Sequence, residues 1–139
     1  MPAEKTDAIV QKVVDFSETS CVVTLYTRDF GKVSALAKGA RRLRSPFEGA
    51  IDLLASCRIV FLRKSVDSLD LLTEAKLLRR FRSASTDLLR FYSGLYVIEL
   101  VSALTDHGDP QPKLFDLVLQ TIETIDDEED STNTGLQLL

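Results

Sequence analysis

The sequence predicts a β barrel joined to α-helices: a five-stranded Greek-key barrel of OB type over residues 1–82, an α-helical hairpin within 83–126, and an acidic tail at 127–139. Three observations carry this. Up to Phe81, β-branched and aromatic residues fall in short runs separated by small turn residues, which is the pattern of strands. From Ser83 onward the apolar runs lengthen and take helical spacing. Charge divides at the same place: residues 1–82 carry 15 Lys+Arg against 10 Asp+Glu, a net +5, and residues 83–139 carry 2 against 11, a net −9. The formal −4 of the whole chain hides a basic half joined to an acidic half.

The strands follow in order. AIVQKVVDF is the first run and ends at the polar turn SETS. In the second, CVVTLYTR, Val23, Leu25 and Thr27 alternate with Val22, Thr24, Tyr26 and Arg28, so Tyr26 and Arg28 share a face. The turn RDFG closes a hairpin onto KVSALAKG, with Gly31 available for a positive φ. There Val33, Ala35 and Ala37 face one way, and Lys32, Ser34, Leu36 and Lys38 the other. SPFEGAIDLL is broken by Pro46 and Gly49 and reads as an irregular connection. LLASCRIVFLRK makes the fourth strand and LDLLTEAKLLRRF the fifth, although the Leu, Glu, Ala and Lys of the latter also favour helix. Phe16, Phe61 and Phe81 are expected in the core.

After Ser83 the chain turns helical. Ser85 or Thr86 is expected to cap a helix with Asp87 in its first turn, running through LLRFYSGLYVIELVSALTDHG to a stop at Gly108. That helix is apolar nearly all round, which predicts burial between two partners. Asp109 is expected to cap a second helix, with Pro110 or Pro112 in its first turn and an apolar stripe of Leu114, Phe115, Leu117, Val118, Ile122 and Ile125. The two should pack as an antiparallel hairpin. The acidic run Asp126 to Asp130 reads as a solvated linker that folds back on the basic loop and competes with a nucleic acid. Leu136, Leu138 and Leu139 read as the start of an element that does not continue, so a longer protein is expected.

Several functions lack their residues. No run reaches the ~18 apolar residues a membrane span needs, and MPAEKTDAIV has no secretory pattern, so a cytoplasmic location is expected. Cys21 and Cys57 lie in apolar runs without CxxC spacing and read as core residues rather than zinc ligands. His107, alone in DHGDP, reads as a solvated turn residue. Glu99 is a lone acid in an apolar helix and reads as structural. With no carboxylate pair, no nucleophile beside a base and no phosphate-cradling glycine loop, neither an enzyme nor a cofactor is expected.

The chemistry concentrates in Gly31 to Ser45. Lys38, Arg41, Arg42 and Arg44 place four cations in seven residues with no acid among them, next to a glycine. Guanidinium groups grip phosphate oxygens bidentately, which makes these four the first choice for contacts to a DNA backbone. Lys32 and Arg28 are second-rank candidates. Arg63, Lys64, Arg79, Arg80 and Arg82 mark strand ends, where they contact DNA or discourage strand addition. Single-strand binders add aromatic platforms, and Tyr26, Phe30 and Phe47 are the candidates for stacking.

Four segments in sequence carry a resemblance: DAIV (Asp7 to Val10), VTLYTR (Val23 to Arg28), GKV followed by AKGARR (Gly31 to Arg42), and YVIEL (Tyr96 to Leu100). Over residues 6–126 the chain resembles the RecO family of bacterial recombination mediators. The resemblance implies an OB-fold domain that binds single- and double-stranded DNA, followed by a helical domain. It implies DNA repair with RecR and, in some bacteria, RecF. The steps it implies are remodelling of single-strand binding protein so that RecA can load, annealing of complementary strands, and a nucleoid location. It further implies that the helical domain meets the acidic-hydrophobic tail of single-strand binding protein. This sequence stops before the remainder of that domain and before the cysteine cluster that binds zinc in some members. Two other readings remain open: an interaction module that docks acidic peptide tails, and an RNA-binding OB protein.

Overall fold

Five strands close into a ring and a helical hairpin lies across one side of it. The computed structural model describes residues 2–42, 44–47, 49–64 and 68–127. The elements are β1 (Ala3–Asp15), β2 (Cys21–Thr27), β3 (Gly31–Ala37), β4 (Ser56–Leu62), β5 (Asp70–Arg79), a 3-10 turn (Arg82–Ser85), α1 (Leu88–Leu104) and α2 (Pro112–Asp127). The ring order is β1-β2-β3-β5-β4. All pairings are antiparallel except β3 with β5, which closes the barrel in parallel through Ala35↔Asp70 and Leu36↔Leu71. This is the strand order of an OB barrel. The helix formers of the fifth run are overridden because β5 pairs along the whole of β4, and strand propensity yields to such partners.

Two apolar cores share the strands. Ala8, Val10, Val23, Leu25, Val33, Ala35, Ile59 and Phe61 point inward and fill the barrel. Their neighbours Ile9 and Tyr26 point outward, where Leu54 and Phe81 join Ile98 and Val101 of α1 and Phe115, Val118, Ile122 and Ile125 of α2. Alternation along β1 and β2 thus feeds both cores, and Ile9 and Val10 are equally inaccessible. The helices run antiparallel: Arg90 near the start of α1 donates to the carbonyl of Asp126 at the end of α2, 3.3 Å away.

Several helical expectations are corrected. Asp87, rather than Ser85 or Thr86, caps α1, its carboxylate accepting from the Arg90 N–H at 3.3 Å. The helix ends at Leu104, four residues before Gly108, and Asp109 lies three residues before α2, whose first residue is Pro112. A proline suits that place because its missing N–H has no helical partner to lose. α1 is buried along one side only. Arg90, Gly94, Ile98 and Val101 face the barrel and α2, while Leu88, Tyr92, Tyr96, Leu100 and Leu104, each four residues from the last, are exposed. The helix does meet two partners, the barrel and α2, but through one side, so its opposite side is open among the described residues.

The acidic run is also partly corrected. Asp126 and Asp127 close α2 and turn to the far end of β5, not to the basic loop. The buried Asp126 carboxylate accepts from the N–H groups of Arg82 and Ser83, both at 3.0 Å, and from Arg79 at 3.2 Å. Burial pushes its pKa up, and these donors more than offset that, so Asp126 stays below the usual carboxylate range. The rest of the acidic run and the leucines at 136, 138 and 139 lie outside the described residues.

Candidate nucleic-acid interface

The outward face of β1, β2 and β3 is divided by the hairpin into a covered half and an open half. Tyr26 pairs with Lys32 across β2 and β3, and both lie in the covered half. Tyr26 is 1% exposed and packs on Phe115 with ring centroids 5.7 Å apart. Arg28 meets the next residue of α2, donating to both carboxylate oxygens of Asp116 at 3.0 and 3.2 Å. The ammonium of Lys32 reaches the last turn of α1 and donates to the Ser102 carbonyl at 3.1 Å and its hydroxyl at 3.2 Å. There it satisfies a carbonyl left free by the helix end.

One sequence candidate is therefore corrected, since the buried Tyr26 has no face free for stacking, and Arg28 and Lys32 both bond the hairpin. Alternation assigned them to one face correctly, and what covers that face comes from residues 70 to 90 positions away. Phe47, the second stacking candidate, is 3% exposed in the barrel core. Phe30 is half-buried, set edge-on to Phe61 at 5.4 Å, with the Arg63 guanidinium 5.3 Å above its ring. One face of the ring thus carries a cation. Lys32, Phe30, Arg63, Lys64 and His107 line a groove of about 540 Å³. His107 is exposed as expected, and it also bridges to Lys32 and lies 3.4 Å from the Ser34 hydroxyl.

The open half leads to the end of the barrel where the 16–20 and 38–42 turns meet. Phe16 N–H donates to the Ser20 carbonyl at 3.0 Å, which tightens the first turn. Gly39 N–H donates to the Ser20 hydroxyl at 3.2 Å and Arg41 N–H to the Thr19 carbonyl at 3.0 Å, which tie the second turn to the first. Gly39 has φ +69°, a conformation that L side chains rarely take, and a Cβ there would come 3.4 Å from Arg42 Cδ. Arg41 pairs with Asp15 in an exposed ion pair, its Nε 3.0 Å from Oδ1, and so differs from the other members of the cluster. Lys38, Arg42 and Arg44 are exposed, and no acid lies within ion-pair distance of them among the described residues.

Lys38 and Arg42 line a groove of about 350 Å³ with Leu36, Ser20 and Phe16. Phe16, placed in the core on sequence, is 63% exposed. The missed signal is its position: it follows the last residue of β1 and precedes SETS, so strand alternation no longer governs it. A register shift between Val10 and Lys12 further displaces the simple alternation of that strand.

Other chemistry is poorly served. Burial pushes the Cys57 thiol up to about 12 and raises Cys21 too, so both stay protonated at neutral pH and pack as apolar groups. Among the described residues there is no cluster of metal-ligating side chains, and no helix is long and apolar enough to cross a membrane.

An OB barrel presenting a fixed cationic turn, with a helical hairpin packed on its flank, defines the class of oligonucleotide-binding-fold protein with an appended helical region. Within that class, the family description "Recombination protein O N terminal" matches residues 1–81 and "Recombination protein O C terminal" matches residues 85–136, and the chain belongs to this family. It is 54% identical over 121 residues to the DNA repair protein RecO of Rhodopirellula baltica, an overlap of 87% of this chain and 45% of that one. It is 36% identical over 121 residues to that of Salinibacter ruber, 87% and 46% of the two chains. For Syntrophobacter fumaroxidans the identity is 35% over 136 residues, 98% and 54%. The chain spans about half the length of these relatives.

Proposed function

We propose that the chain binds DNA through its phosphate backbone and serves as a recombination mediator in DNA repair, with Lys38, Arg42 and Arg44 as the contacts. The observation that carries this reading is the cross-tied pair of turns: two bonds, at Gly39 and Arg41, tie the basic turn to the 16–20 turn, and Lys38, Arg42 and Arg44 are exposed with no acid in ion-pair distance among the described residues. Preorganised cations without carboxylate partners meet a phosphate strand at little ordering cost. The relatives' name, DNA repair protein, points the same way. Single- and double-stranded DNA both present the backbone, and annealing of strands and loading of RecA belong to this proposal. RecR, RecF and single-strand binding protein are the proposed partners.

The test is fluorescence anisotropy with labelled oligonucleotides. Charge reversal of Lys38, Arg42 and Arg44 to Glu together removes binding, whereas Arg63→Glu lowers it far less. Equal losses from both would move the site to the other groove. Matched DNA and RNA strands should bind alike, since phosphates carry the contact; a strong RNA preference would favour the RNA-binding reading.

A second reading, a module for protein partners, draws on the exposed stripe Leu88, Tyr92, Tyr96, Leu100 and Leu104. A contiguous apolar stripe marks an interaction surface more often than a solvated one. Tyr96→Glu would then abolish capture by the tail peptide of single-strand binding protein while DNA binding persists. Capture unaffected by Tyr96→Glu would remove that stripe from the proposal.

A further inference from the structure

We infer that Phe16 is a stacking platform for one unpaired base, so that the groove between the two turns holds a single strand more tightly than a duplex, which it meets through phosphates alone. A lone exposed apolar ring is ordinary in itself. This ring differs in its setting. Its backbone N–H is fixed on the Ser20 carbonyl at 3.0 Å, and Ser20 in turn holds Gly39 through its hydroxyl at 3.2 Å. The backbone that carries the ring is thus tied to the same residue as the basic turn. It is 63% exposed, and the adjoining groove of about 350 Å³ has half-buried Leu36 as an apolar wall and Lys38 and Arg42 at its edge. An apolar face beside two cations matches the chemistry of one nucleotide: a flat base for the ring, a phosphate for the cations. The groove beside Phe30, by contrast, includes the acid Asp70 in its lining, whereas the lining of the groove beside Phe16 has cations and no acid. In a duplex the bases are paired and stacked inside, and only their phosphates reach this surface.

The inference rests on the reading that the turn pair binds a nucleic-acid strand, and the experiment separates the two. The full chain, Phe16→Ala, Phe16→Tyr and Arg42→Ala are titrated by anisotropy with an oligothymidylate, the same strand made of abasic residues, and a blunt duplex of equal length. Stacking of one base predicts a roughly tenfold loss of oligothymidylate affinity for Phe16→Ala, within the range alanine substitution gives at such platforms. Phe16→Tyr retains affinity, duplex binding changes less than about twofold, and the abasic strand does not distinguish the full chain from Phe16→Ala. Arg42→Ala weakens all three ligands and shows that the cations act separately. Equal losses on single strand and duplex, or no loss on either, overturn the role of Phe16 while the phosphate site stands. Failure of the unaltered chain to bind any of the three overturns both. Because Phe16 is exposed, the variant should melt with the parent, and a thermal scan confirms that the loss is local.

Discussion

Arg28 grips Asp116 with two parallel N–H···O bonds, Nε to Oδ1 at 3.0 Å and Nη2 to Oδ2 at 3.2 Å, from just past the end of β2 to the second turn of α2. Arg28, a second-rank candidate for DNA contact on sequence, therefore helps hold the hairpin on the barrel. The same face supplies Tyr26 against Phe115 and Lys32 against Ser102, so three consecutive outward positions along the β2–β3 pair are occupied by helices. The proposed DNA contact is accordingly assigned to the turn end.

Arg28→Ala should accordingly leave DNA affinity within about twofold at low salt while lowering thermal stability slightly, since exposed ion pairs contribute little. The Arg28 hydrogen bond holds Asp116 below the usual carboxylate range. Its folded pKa is depressed, so the stabilising effect is complete above the unfolded value, about 4, and is lost as pH falls through the folded value. The melting temperatures of the parent and Asp116→Asn should converge in strongly acidic buffer. A gap that widens on acidification would contradict the pairing.

Asp126→Ala should be the costliest substitution at the junction. It leaves two backbone N–H groups, those of Arg82 and Ser83, without their acceptor in a buried place, a loss of about 1–3 kcal/mol each. Urea denaturation should show a shift of several times that from Asp127→Ala, whose carboxylate is exposed and shares Arg79. The Asp126 pKa is also lowered, so this contribution is lost in acid and does not weaken as pH rises. Similar shifts from the two substitutions would show that the buried donors find water.

Gly31→Ala should loosen the hairpin from the opposite end. Gly31 has φ +69°, and a Cβ there would come 2.6 Å from the backbone N and O of Asp109. Neither the backbone conformation nor the contact suits a side chain, so destabilisation above about 1 kcal/mol is expected. The displaced segment includes the Gly108 N–H that bonds the Lys32 carbonyl at 3.3 Å. Hydrogen exchange at Gly108 should rise in the variant, and an unchanged rate would place the strain elsewhere.

The strands and the cationic turn were legible because both are local. Period-two runs with Gly and polar turns identify β2 and β3 nearly to the residue, and clustered arginines identify themselves. Faces were legible too, as Tyr26, Arg28 and Lys32 do share one. Their neighbours were not, because Phe115, Asp116 and Ser102 arrive from distant sequence. The all-round apolar character of α1 gave burial without a direction, and only half of it is met. Phe16 was hidden for a different reason: at a strand end the alternating pattern stops predicting which way a side chain points.

Salt dependence tests the central claim most directly, since it counts the phosphates that unpaired cations neutralise. With Arg41 held by Asp15, three cations remain, and log K against log salt for a single strand should fall with a slope of roughly −2. Arg42→Ala should reduce that slope by about 0.7, and Arg28→Ala should leave it unchanged. A flat response, or a slope altered by Arg28→Ala but not by Arg42→Ala, would contradict the assignment of the turn as the DNA contact.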